Sequence, residues 1–160
     1  MHDDAERPDE IEVAIWFHDA VYVPGRADNE EASAALADQA LSAGGVAGPV
    51  KDRVRSLVLA TRHTAIPHGN DARILADIDL AILGADPYRF GIYDRAIRRE
   101  FHALPDAEYR SGRAAVLRSF LARPTIYHTD AFRERYEAQA RANITGALAL
   151  LEAMPAAAAD

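Results

Sequence analysis

The stretch ARILADIDLAILG, ending at Gly84, constrains the fold more than any other part of this chain. Between Ile74 and Gly84 only Asp77 and Asp79 are polar, so a helix here is apolar nearly all round and must be covered by neighbours on most sides. A central helix of that kind needs a helical surround, and the remaining sequence supplies one.

Ile11, Ala14, Ile15 and His18 repeat with helical period in a first helix, which Val23-Pro24-Gly25 stops. A second helix starts at Asp28 and runs to Gly44-Gly45, with a modest face of Ala32, Leu36 and Leu41. The third begins near Pro49, carries Val50, Val54, Leu57, Val58 and Thr61 on one stripe, and ends around His63. The fourth, from Asp71 to Gly84, is the central one. Asp86-Pro87 opens a fifth through about Ala103, and Pro105 a sixth through about Ala122. Thr129 or Asp130 caps a seventh, whose buried stripe is Phe132, Tyr136, Ala140, Ile144, Leu148 and Leu151. With no convincing period-two strand, the expected class is all-α: one helical domain over residues 10–153, with flexible termini at 1–9 and 155–160.

Composition narrows the chemistry. The chain has no cysteine, so thiolate metal sites, disulfides and cysteine nucleophiles are excluded and any metal must take His and carboxylate ligands. A net charge of -7 disfavours DNA as a partner. No apolar run reaches the length of a membrane span, and the acidic start MHDDAERPDE is unlike a signal peptide, so no membrane partner is expected and the cytoplasm is the expected location. Lys51 is the sole lysine, leaving nearly all positive charge on arginine, a planar fork suited to phosphate. Walker A, G-x-S-x-G, H-E-x-x-H and Gly-rich dinucleotide patterns are absent.

Within this frame a few polar residues are hard to justify by packing. The i±3 and i±4 neighbours of Asp79 are Leu75, Ala76, Ile82 and Leu83, so its carboxylate faces the core and is costly unless paired, protonated or metal-bound. Asp77 has Arg73 four residues back and reads equally as a helical ion pair or as an alternative ligand. His18 and Asp19, in WFHDAVY, push two ionisable groups toward the same interior, where a divalent cation would relieve the repulsion between Asp19 and Asp79. His63, in LATRHT, is available for proton transfer or metal contact. Asn29 and Glu30 either cap the second helix or orient water or substrate, and Arg99 and Arg113 either are solvated or approach a phosphate.

The ordered set WFHDAVY, DNEEASA, LVLATRHT, DIDLAILG and IRREFHALPDAEYRSGRAAVLRSFLARPTIYHT resembles a bacterial branch of predicted metal-dependent phosphohydrolases of the HD-domain superfamily, from about Glu10 to about Leu151. The resemblance implies an HD-domain-like helical bundle with one divalent metal ion, Mn, Mg, Fe or Zn, on His18, Asp19 and Asp79. It further implies hydrolysis of a small phosphorylated molecule or nucleotide, with Glu30 or His63 as catalytic groups and Asn29, Arg99 and Arg113 binding substrate. The family's first histidine, on a helix upstream of the HD helix, has no counterpart: before His18 the only histidine is His2, in a polar tail. The expectation is therefore either a chain that begins inside a longer reading frame or a degenerate domain that binds a nucleotide or a protein without turnover. An uncovered groove beside the HD helix leads us to expect a homodimer.

Overall fold

In a computed structural model, residues 5–153 are described, and among them the secondary structure is entirely helical. The expectations for His2 and for 155–160 lie outside the described residues. The chain divides into two compact units, one ending at Asp79 and the other beginning at Leu80.

In the first unit α1 spans Pro8–Phe17, α2 Asn29–Ala43, α3 Gly48–Ala60 and α4 Asn70–Asp79. Proline near the start of α1 and of α3 suits the first helical turn, where a backbone N–H has no intrahelical acceptor. Residues 5–9 are tied down, contrary to expectation. The backbone N–H groups of Glu6 and Arg7 donate to the Asp71 carboxylate at 2.7 and 3.0 Å, and Pro8 already opens the helix. Ile11 and Ala14, Ala34 and Ala37, Val54, Leu57 and Val58, and Ala72, Ile74 and Leu75 make the core of this unit. The buried face of α2 is Asn29, Ser33, Ala34 and Ala37 rather than Ala32, Leu36 and Leu41, of which Ala32 and Leu41 are half-buried and Leu36 is exposed. Small side chains let the backbone of α2 come close to its neighbour, so there volume matters more than hydrophobicity.

α4 is shorter than its apolar pattern suggests. The chain tightens into a 3-10 turn over Leu80–Gly84, where the second unit starts. Gly84 is required there: a Cβ on it would lie 2.6 Å from the Cβ of Tyr136 and 2.8 Å from its carbonyl oxygen. α5 follows over Pro87–Glu100, capped by Asp86, whose carboxylate accepts from the N–H groups of Tyr88 and Arg89 at 3.1 Å each. α6 spans Asp106–Leu121. The last helix, α7, runs unbroken through Asp130–Phe132, a π-helical stretch Arg133–Glu137, and Ala138–Ala153. Its expected stripe steps by four residues, which drifts round an ideal helix by about 40° a step, and the wider π turn absorbs part of that drift. Phe132, Ala140, Ile144 and Leu148 are buried, Tyr136 and Leu151 half-buried. No described helix is long and apolar enough to cross a membrane.

Candidate metal centre

α1 and α4 run side by side in the first unit. At their starts Glu6 and Arg7 meet Asp71, and at their ends His18 meets Asp79. His18 is the C-cap of α1, its backbone N–H still bonded to Ala14 O. Its ring turns inward and Nδ1–H donates to the Ile15 carbonyl at 2.7 Å. That bond commits Nδ1 as the donor, so Nε2 is the nitrogen left to face the carboxylates. Asp19 Oδ2 lies 3.3 Å from it and Asp79 Oδ1 3.4 Å. A neutral ring in this tautomer would aim a lone pair at two anions. The arrangement therefore needs a positive charge at Nε2, supplied by a proton or by a metal ion.

With a proton there, the hydrogen bond to Asp19 and then that to Asp79 raise His18 from 6.5 to about 10, against the opposing effect of burial. Burial alone would push Asp79 up, but the hydrogen bonds from His18 and His63 outweigh it and hold the carboxyl down at about 2.

His63 reaches the same carboxylate by a different route. α3 stops at Ala60, Thr61 and Arg62 turn, and His63 sits in the left-handed region with φ 55°. Its Nε2 lies 2.7 Å from Asp79 Oδ2. A β-carbon in this conformation is strained, yet the turn swings the imidazole toward the end of α4. Asp79 is thus held by one oxygen while the other faces His18, and it keeps 24 % side-chain exposure. Asp77, by contrast, is fully buried, while Arg73 is exposed.

The loop between Asp19 and α2 is secured by two buried polar side chains. Asn29 accepts from Val23 N at 2.9 Å and donates to the carbonyls of Val23 and Arg26 at 3.0 and 3.2 Å. Ser33 Oγ accepts from Val21 N at 3.0 Å and donates to Val21 O at 3.2 Å. The amide of Asn29 is occupied with holding the loop that follows His18-Asp19. Ser33 carries no signal in the sequence beyond a small polar residue one turn into a helix. Glu30 is half-buried in the first turn of α2.

Arg99 and Arg113 belong to the second unit. Arg99 is exposed. Arg113 retains 8 % side-chain exposure, donates to Asp94 Oδ1 from Nε and Nη2 at 3.1 and 2.8 Å, and lies over the Tyr93 ring at 5.6 Å. Its role in the folded chain is to balance Asp94.

A cleft of about 570 Å³ beside the starts of α1 and α4 includes Arg53, Ser56, Ile66 and Asp71 but none of His18, Asp19, His63 and Asp79. A smaller apolar groove of about 140 Å³ lies along Pro8, Ile11, Ile15, Ile74 and Ile78.

Among the described residues no three His, Asp or Glu side chains are already spread around a metal-sized point. The donor set nevertheless fits a divalent cation by its chemistry. It offers one imidazole nitrogen fixed in the right tautomer and two carboxylate oxygens, 3.3 and 3.4 Å away. Ligands bonded at about 2.0–2.2 Å to a common cation sit at similar mutual distances. Set against known protein families, curated proteins and solved structures, the chain matches none of them.

Proposed function

We propose that this chain is a metal-dependent phosphohydrolase of the HD type, acting on a small phosphate ester or nucleotide, with one divalent cation held by His18 Nε2, Asp19 and Asp79. The observation that carries the reading is His18, whose Nδ1–H is committed to the Ile15 carbonyl while Nε2 faces two carboxylate oxygens. A cation bound there would lower the pKa of a water and offset charge on phosphoryl oxygens. The chain's own groups do the rest. Ile15 fixes the tautomer of His18, His63 holds Asp79 by its second oxygen, and Asn29 and Ser33 keep the segment after Asp19 in place. Half-buried Glu30 is the remaining carboxyl at the start of α2 for orienting water.

The test is titration of chelator-treated protein with Mn²⁺ and Zn²⁺ in a calorimeter, together with phosphate release from a panel of phosphate esters and nucleotides. Binding of one equivalent and turnover that both disappear in His18→Ala and Asp79→Ala support the reading. Binding without turnover on any substrate favours a non-catalytic sensor built on the same site. Wild-type metal content and hydrolysis in both variants overturn the site.

A further inference from the structure

Two helices carry lines of exposed side chains that the rest of the chain leaves uncovered. On α1 the line is Asp9, Glu12 and Trp16, within an arc of about 60°. Trp16 is 78 % exposed, and among the described residues neither carboxylate has an ion-pair partner. Tryptophan is among the side chains enriched in protein interfaces, and an indole this exposed is available to anchor one.

On α5 the line is Tyr88, Ile92, Arg95 and Arg99, also within about 60°. Tyr88 is 75 % and Ile92 42 % exposed. The guanidiniums of Arg95 and Arg99 have no acceptor among the described residues, whereas Arg98 between them is bonded to Phe101 O and Asp106.

The two lines are complementary when run antiparallel. From Trp16 back to Asp9 and from Ile92 on to Arg99 are seven residues each, about 10 Å of helix. With the indole set over Ile92 and Tyr88, Glu12 falls opposite Arg95 and Asp9 opposite Arg99. A nucleic acid or an anionic membrane is a poorer occupant, since two guanidiniums on a chain of net charge -7 give little attraction to a polyanion and leave the acidic line of α1 unused.

We propose that α1 of one copy docks antiparallel on α5 of a second copy of this chain, with Trp16 against Tyr88 and Ile92, Glu12 against Arg95 and Asp9 against Arg99. The contact joins unlike surfaces, so each chain offers both halves. Used reciprocally by two chains it closes a dimer, and used in one direction it builds a longer assembly. Either product sediments faster than a monomer.

Sedimentation velocity of the full chain from about 1 to about 200 µM tests this, with circular dichroism to check that each variant is folded. The wild type should self-associate, and Trp16→Ala, Glu12→Arg and Arg95→Glu should each weaken association by about tenfold or more. An equimolar mixture of the Glu12→Arg and Arg95→Glu chains should associate again, because the exchanged charges then meet across copies. A wild type that stays monomeric at the highest concentration, single swaps without effect, or a mixture that fails to recover would each overturn the proposal.

Discussion

The charged groups at the end of α1 and those around α5 and α6 solve the same problem differently. In the second unit each partly buried carboxylate meets an arginine, which holds its proton at any accessible pH: Asp94 meets Arg113 and Glu137 meets Arg141. Those pairs are closed, and a metal ion has nothing to replace. In the first unit two carboxylates meet histidines instead, and the charge that reconciles them sits at Nε2 of His18. In the function proposed above, a metal ion would take the place of the proton there. The partner's basicity, more than the number of charges, separates a structural ion pair from a site open to chemistry.

The largest break in that contrast is Asp79→Ala, which removes the anion shared by both histidines. Affinity for Mn²⁺ should fall by about a hundredfold or more in calorimetry, while the second unit's ion pairs are untouched. Next, Arg113→Met leaves Asp94 beside a half-buried position without its cation and should cost about 2–4 kcal/mol in urea unfolding, with metal affinity unchanged. Adding Asp94→Leu should recover most of that loss, as expected for a pair whose value is balance alone.

His63→Gly separates backbone from side chain. Removing the β-carbon at φ 55° relieves about 1 kcal/mol of strain, while losing the bond to Asp79 should weaken metal binding by about tenfold. A chelated His63→Gly chain that melts above His63→Ala, with metal binding weakened equally in both, is the expected split.

The same contrast sets the pH dependence of the metal-free protein. The raised His18 contributes stability that is complete below its unfolded value of 6.5 and is lost as the pH rises through about 10. The depressed Asp79 contributes stability present above 3.8 and lost as the pH falls toward about 2. Melting temperature measured in chelator should therefore fall on both sides of a plateau, and His18→Gln should remove the alkaline decline.

The helices were legible because their apolar residues recur at helical spacing and their ends carry Pro, Gly and Asp. The cluster of His18, Asp19, His63 and Asp79 was legible in its residue types, less so in its geometry. Periodicity carried through Gly84 treats Asp79 as mid-helix, but α4 ends at that residue, so it is Asp77 that is fully enclosed and Asp79 that keeps some exposure. His63 reaches Asp79 only through a left-handed backbone step, and no pattern of residue types announces that. The duties of Asn29 and Arg113 depend on partners six and nineteen residues away, which spacing along one helix does not reveal.

The loop from Ala20 to Asp28 has few buried apolar side chains, and its internal backbone bonding is slight. Val21 and Val23 are nonetheless bonded through their N–H groups to Ser33 and Asn29. These two amide protons cannot reach solvent until α2 lets go of the loop. Among the loop's otherwise fast-exchanging amides they should trade for deuterium slowly and together, at the rate at which the first turns of α2 release it. The segment that follows Asp19 is therefore timed by the neighbouring helix, so its release should be a motion of α2 as much as of the loop.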